Sequence, residues 1–203
     1  MKGYYFITDS VLSRAGNISD VKNAVAAGVK VVQYRNKSAS TLVLYKEALT
    51  LRKICKNITF IINDRLDIAL ASDADGVHIG QDDMPYKVAR KMLGDKKIIG
   101  VTVHNLKEAL KAQKHGADYL GFSPVFSTKT KLDAGRPAGP KLLSEIKKKV
   151  SIPVVAIGGI NLLNVQDVIS AGADGLCAIS AVVCSNDVKS QIKKFQKLFL
   201  SSL

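Results

Sequence analysis

The chain has 203 residues and a formal net charge of +13, long enough for a full hydrophobic core within one domain. Its 47% hydrophobic content, with 15 Gly and 5 Pro, excludes a disordered or fibrous chain. The charge leaves three classes of partner to separate: nucleic acid, an acidic membrane surface, or phosphorylated substrates.

The longest uncharged stretch runs from Val150 to Gln166 and is broken by Pro153, Gly158, Gly159 and Asn161, whereas a membrane span needs about 20 apolar residues. Met1–Ser10 has no long apolar core and carries Asp9, so no secretory leader is expected. Cys55, Cys177 and Cys184 are scattered, with no C-x-x-C pair; they read as small buried residues of a cytoplasmic protein, neither disulfide partners nor zinc ligands. The charge is uneven, +2 over residues 1–83 and +11 over residues 84–203, and Lys outnumbers Arg by 24 to 6. Arg is favoured where phosphate is gripped in a fixed geometry, Lys on a wet surface. Lys147-Lys148-Lys149 and Lys193-Lys194 accordingly read as solvated helix faces.

In chain order the candidate strands are Tyr4–Thr8, Val29–Tyr34, Thr59–Asn63, Gly76–Ile79, Ile98–Val101, Tyr119–Phe122, Val154–Ile157 and Gly175–Ile179. Each is short and rich in Val, Ile, Tyr or Phe, as suits a parallel strand buried on both faces. Amphipathic stretches lie between them. Thr41–Cys55 sets Leu44, Ala48, Leu51 and Cys55 on one stripe behind a Ser40 N-cap. Leu106–His115, Pro140–Lys149, Val165–Ala171 and Val188–Leu200 repeat the pattern. A phrase also recurs where helix hands over to strand: Ala27-Gly28-Val29, Ser72-Asp73-Ala74-Asp75-Gly76, His115-Gly116-Ala117-Asp118 and Ala171-Gly172-Ala173-Asp174-Gly175. Gly stops the helix in a left-handed conformation, and the Asp closes the turn into the strand. Eight strands alternating with about eight helices predict a single-domain (β/α)8 TIM barrel over residues 1–203, α/β in class. An open doubly wound sheet is the rival architecture.

In such a barrel chemistry sits where strands end. The exits are polar: Gln33-Tyr34-Arg35-Asn36-Lys37, Asn63-Asp64-Arg65, His78-Ile79-Gly80-Gln81-Asp82-Asp83, Thr102-Val103-His104, Ser123 to Lys131, Gly158-Gly159-Ile160-Asn161 and Ile179-Ser180. Arg35, Lys37 and Lys131 would be cations at one mouth, with Asp64 and Asp83 as carboxylates from neighbouring strands. A Mg2+ reconciles the two signs, since it takes one or two carboxylates plus water and phosphate oxygens. The combination points to a bound diphosphate. Gly158-Gly159 and the start of the last helix suggest a second anion position, because glycine lets an anion approach backbone N–H groups. Taken singly, each segment has a plainer reading: Asp82-Asp83 as a helix first turn, Gly158-Gly159 as a tight turn, His78 as a satisfied core histidine. Their concentration at strand ends favours a site.

Taken together, Gln33-x-Arg35-x-Lys37, Ile62-Asn63-Asp64-Arg65, Gly76-Val77-His78-Ile79-Gly80-Gln81-Asp82-Asp83, Thr128-x-Thr130-Lys131 and Ala156-Ile157-Gly158-Gly159-Ile160 resemble the thiamine-phosphate synthase (thiamine-phosphate pyrophosphorylase) family along nearly the whole chain. The resemblance implies condensation of 4-amino-2-methyl-5-hydroxymethylpyrimidine diphosphate with thiazole phosphate, giving thiamine phosphate and diphosphate. It implies that Gln33, Arg35, Lys37, Asn63, Thr102 and Lys131 hold the pyrimidine diphosphate, that Asp64 and Asp83 ligate Mg2+, and that Thr128, Thr130, Gly159, Ile179 and Ser180 hold the thiazole phosphate. Arg35, Lys37 and Lys131 would be the catalytic charges on the leaving group. The chain departs from the family pattern at Thr102 (usually Ser), Asn36 (often Glu), Ser123 (often Gly) and Ser127 (often Pro). The expected partners are two small phosphorylated substrates, with no nucleic acid and no membrane; a homo-oligomer is left open. The rivals are a thiazole tautomerase on the same barrel, a sugar-phosphate isomerase and a nucleic-acid-binding protein. Tautomerases often lack the two carboxylates and use a His near the position of Pro124. An isomerase wants an acid/base pair that the strand ends do not supply. A nucleic-acid-binding protein is disfavoured by 6% aromatic content, no Trp and the excess of Lys over Arg.

Overall fold

The computed structural model describes residues 1–128, 130 and 135–200. Eight parallel strands close into a barrel in sequence order, the first pairing with the last, which settles the architecture against the open sheet. The strands are β1 (Gly3–Ile7), β2 (Val31–Tyr34), β3 (Thr59–Asn63), β4 (Gly76–Ile79), β5 (Ile98–Val103), β6 (Tyr119–Phe122), β7 (Val154–Ile157) and β8 (Gly175–Cys177). The helices are α1 (Asn17–Ala26), α2 (Thr41–Ile54), α3 (Leu66–Ala71), α4 (Tyr86–Leu93), α5 (Leu106–His115), α6 (Gly139–Lys147), α7 (Val165–Ser170), α8 (Ile179–Val183) and α9 (Val188–Leu200).

The strands are largely apolar because both faces are covered, and the polar residues Gln33, Asn63, His78 and Thr102 lie toward the C-terminal ends. Alternate residues point outward to the helices and inward to the barrel axis. Tyr4, Phe6, Val32, Tyr34, Phe60, Ile62, Leu120 and Phe122 belong to the outer core with the helices. Tyr5, Ile7, Val31, Ile61, Tyr119, Val155 and Cys177 make a smaller inner cluster. The α2 stripe is as expected: Leu44, Ala48 and Leu51 are buried, and the Ser40 side chain accepts the Val43 N–H.

The boundaries differ in places, each for a local reason. β2 begins at Val31, not Val29, because the Val29 N–H is spent on Ala24 O at the end of α1. β5 continues to Val103, since Thr102 and Val103 pair with Gly121 and Phe122. β8 stops at Cys177, and Ile179 opens α8 instead of ending the strand. Periodicity cannot separate a short apolar strand from a buried turn of helix. The helix whose start faces the mouth is therefore the short α8, and the last helix, α9, follows it.

The recurring Asp has a specific job at the opposite end of the barrel. Asp75 Oδ2 accepts the Phe60 N–H at 2.7 Å and pairs with Arg52 of α2 at 3.0 Å. Asp118 Oδ2 accepts the Ile99 N–H at 2.7 Å and pairs with Arg90 of α4 at 2.7 Å. Asp174 Oδ2 accepts the Val154 N–H at 2.7 Å and pairs with Lys147 of α6 at 2.5 Å. Each carboxylate thus ties one strand to its neighbour and to the helix two units back. In the unit before β2, Lys30 stands where the Asp would be. Lys147 is consequently a partly buried ion-pair member, which corrects its reading as part of a solvated face; Lys148, Lys149, Lys193 and Lys194 are exposed.

Candidate active site

The strand C-termini surround a cavity of about 320 Å³. Gln33, Arg35, Lys37, Asn63, Asp64, Asp83 and Thr102 line it, and so do Thr128, Thr130, Gly159, Ile179 and Ser180. Every site residue expected from the sequence is therefore brought to one mouth except Lys131, which lies outside the described residues. Ile7, Ile157 and Cys177 supply apolar lining.

On the β2 side, Arg35 is held before any ligand arrives. Its backbone N–H donates to Thr8 Oγ1 at 2.8 Å, and the Thr8 hydroxyl donates back to Arg35 O at 3.0 Å. Its Nη1 donates to Asp9 Oδ2 at 2.7 Å, with Arg35 17% and Asp9 5% exposed in their side chains. The other Asp9 oxygen accepts the Val11 and Leu12 N–H groups, both at 3.1 Å. Asp9 acts on the site only through Arg35, a contact that reading polar strand exits does not reveal. Thr8-Asp9 immediately after β1 was the available signal.

Between β3 and β4 the carboxylates meet. Asp64 adopts a left-handed backbone, φ 60°, a conformation that Asp tolerates better than most residues. Its N–H donates to His78 O at 2.8 Å across the strand ends, and its carboxylate pairs with Lys37. The Gly80 N–H donates to Asp83 Oδ2 at 2.6 Å. Burial first, and then the neighbouring Asp64, push the Asp83 carboxyl above its usual range. Two adjacent carboxylates make a donor set of hard oxygens suited to Mg2+. Among the described residues no group of three or more His, Cys, Asp or Glu forms a complete metal cage.

Across the mouth, the β6 and β7 loops interlock. The Val125 and Phe126 N–H groups donate to Ile157 O (2.9 Å) and Gly158 O (3.0 Å). Gly159 has φ +64°, and a Cβ there would lie 2.4 Å from Ser127 O and 2.8 Å from the Phe126 Cβ. Glycine is thus required by backbone angle and by space together. Ile179 and Ser180 open α8 beside this loop.

Beneath the cavity runs a row of hydrogen bonds. Gln33 Nε2 donates to Tyr5 Oη at 3.0 Å, the Tyr5 and Tyr119 hydroxyls are 2.7 Å apart, and His78 joins Tyr119 Oη at 2.9 Å and Thr102 Oγ1 at 2.8 Å. His78 is therefore a satisfied interior residue, as its plainer reading had it, and it also lines the cavity. His104 pairs with Glu108 at 3.0 Å, and His115 stacks on Tyr86. Of the three cysteines, all free, Cys55 and Cys177 are buried and Cys184 is partly so. Among the described residues no helix is long and apolar enough to cross a membrane.

Comparison with known proteins places the chain in a family. Residues 4–182 match the family model described as thiamine monophosphate synthase. The chain is 56% identical over 193 residues to thiamine-phosphate synthase of Methanosarcina mazei, covering 95% of this chain and 80% of the relative. It is 50% identical over 197 residues to that of Chloroflexus aurantiacus, covering 96% and 91%. It superposes on thiamine phosphate pyrophosphorylase from Pyrococcus furiosus with TM-score 0.91 and 40% identity, covering 100% of this chain and 96% of the other. Similarity to geranylgeranylglyceryl phosphate synthase of Thermoplasma acidophilum, TM-score 0.72 at 16% identity over 98% of this chain and 93% of the other, shows only the shared fold. On the family model and these relatives together, the chain belongs to the thiamine monophosphate synthase family.

Proposed function

We propose that the chain makes thiamine phosphate by joining the methylene of an aminopyrimidine diphosphate to the nitrogen of a thiazole phosphate, with release of diphosphate. Thiamine-phosphate synthesis is the family's activity, and the relatives described above carry the synthase name; the tautomerase alternative finds no support among them. The observation that carries the chemical detail is the meeting of Asp64 and Asp83 beside Lys37, with Arg35 fixed on the same side of the cavity. A site built only for a phosphate monoester would not need carboxylates among its cations.

Asp64 and Asp83 would hold Mg2+, which when bound supplies charge neutralisation on the diphosphate. Arg35 and Lys37 add positive charge where the leaving group gathers its negative charge, so they act most strongly in the transition state. Lys131, in the β6–α6 connection, is assigned the same role from its motif. Departure of diphosphate leaves a pyrimidinylmethyl cation, and the thiazole nitrogen supplies the new bond's electron pair; no protein nucleophile is needed. The chain's remaining task is to hold two substrates in line and keep water off the cation. Gln33, Asn63 and Thr102 would orient the pyrimidine diphosphate over the apolar floor of Ile7, Ile157 and Cys177. Thr128, Thr130 and the backbone of Gly159, Ile179 and Ser180 would take the thiazole phosphate opposite.

The test is direct. Purified protein incubated with both substrates and Mg2+ should release thiamine phosphate and diphosphate in equal amounts. Interconversion of thiazole phosphate isomers without coupling would replace the synthase reading with the tautomerase one.

A further inference from the structure

We propose that Tyr5, Tyr119 and His78 form a positioning relay beneath the cavity that sets the hydrogen-bond polarity of two of its walls, so that Gln33 presents an acceptor and Thr102 a donor. The inference rests on the reading of this cavity as a pyrimidine diphosphate site and sharpens how that substrate is recognised.

The polarity follows from what each group can do. An amide nitrogen only donates, so Gln33 Nε2, 3.0 Å from Tyr5 Oη, gives its hydrogen to Tyr5. The Gln33 amide oxygen is left for the cavity that Gln33 lines. Tyr5 then passes its own hydrogen to Tyr119 at 2.7 Å, and Tyr119 passes its hydrogen to His78 Nδ1 at 2.9 Å. A neutral imidazole whose Nδ1 accepts carries its hydrogen on Nε2. That hydrogen goes to Thr102 Oγ1 at 2.8 Å, and the Thr102 hydroxyl hydrogen is directed into the cavity. In the opposite polarity Tyr5 would receive hydrogens from both neighbours, and its own would find no place in the row although Tyr5 is 2% exposed. Burial holds both phenols well above their ordinary pKa, so both keep their hydrogens.

The backbone makes room for the two rings. A Cβ at Gly100 would lie 2.1 Å from Tyr119 Cζ, and one at Gly121 would lie 2.8 Å from His78 Cε1. Five strands contribute to the row: β1, β2, β4, β5 and β6. A ligand matching it brings a donor to Gln33 and an acceptor to Thr102. An aminopyrimidine with an attached diphosphate has both. An analogue with oxo in place of the amine would set acceptor against acceptor at Gln33, and a site with this polarity penalises it.

The test reads the tautomer of His78 by nitrogen NMR on protein labelled in its three histidines, with the His78 signals identified by their loss in His78→Gln. Without substrates, the wild type should carry the hydrogen on Nε2; a hydrogen on Nδ1 overturns the proposal. In Gln33→Glu, read at a pH high enough to ionise the buried carboxyl, the side chain accepts from Tyr5, the row reverses, and the hydrogen should move to Nδ1; a folded variant whose tautomer is unchanged on either side of that ionisation also overturns it. Should Gln33→Glu fail to fold, Tyr119→Phe serves. Its KM for the pyrimidine diphosphate should rise about tenfold with the KM for thiazole phosphate unaltered. An equal change in both, or none, overturns the relay. A wild type with the expected tautomer that makes no thiamine phosphate overturns the functional reading and upholds the relay, because the NMR result needs no turnover.

Discussion

At the scale of single residues, the site is defined by charges that compensate one another. Asp64→Asn removes one of two adjacent carboxylates and leaves Lys37 without its partner. Its Mg2+ titration should shift to much higher concentrations, and a curve superimposable on wild type would remove Asp64 from the ligand set. Lys131→Ala should lower kcat by roughly 100-fold or more with little change in KM, as expected of a charge used mainly in the transition state; a rise in KM alone would mark uniform binding. Asp9→Asn should act through Arg35. Removing one partner of a largely buried pair costs about 3 kcal/mol when the other charge stays unpaired. With Arg35 next to a cavity that can hydrate it, part of that cost should appear instead as a raised KM for the pyrimidine diphosphate, read by steady-state kinetics beside a thermal melt. These charges were legible in the sequence because strand ends concentrate polar residues between apolar runs. Asp9 was not, since its importance comes from a contact with Arg35 that is 26 residues away.

At the scale of elements, a repeated carboxylate organises the end of the barrel away from the site. The recurrence of Asp75, Asp118 and Asp174 was visible in the sequence, and a turn-closing role was the natural reading. Only the register of the strands reveals that each one reaches back to the preceding strand and to a cation two helices earlier. Lys147→Ala should therefore cost about 1 kcal/mol of stability while kcat and KM stay at wild-type values; a large loss of activity with an unchanged melt would contradict the separation of the two ends. Gly159→Ala tests the other end. A methyl there collides with Ser127 O and the Phe126 Cβ, so the β6 and β7 loops must part, and the KM for thiazole phosphate should rise more than that for the pyrimidine diphosphate. The boundary shifts belong to this scale too. Ile179 looked like strand because Leu176-Cys177-Ala178-Ile179 is uniformly apolar, and the turn into α8 rests on barrel closure, which propensity does not encode.

At the scale of the whole molecule, the +13 charge separates into parts with different meanings. Arg35 and Lys37 face the cavity, Arg52, Arg90 and Lys147 secure the far end, and Lys148, Lys149, Lys193 and Lys194 lie in solvent. Lys194→Ala should leave kinetics and stability unchanged, and the protein should show no tight, salt-sensitive binding to duplex DNA in a fluorescence titration; such binding would give the lysine coat a partner.

The sequence by itself determined the alternation of strand and helix, the α/β class and the identity of most polar residues at the mouth, while closure of the sheet was decided by the pairing of β1 with β8. The first three depend on local patterning: doubly buried strands are largely apolar, and the polar residues of a barrel site lie at their C-terminal ends or follow them directly in the chain. The tertiary structure decided which of those residues touch. Gln33 and Thr102 are 69 residues apart, and nothing local joins them. Closure of the barrel brings Tyr5, Tyr119 and His78 between them in one row of hydrogen bonds, because inward-facing side chains of different strands share a single narrow interior.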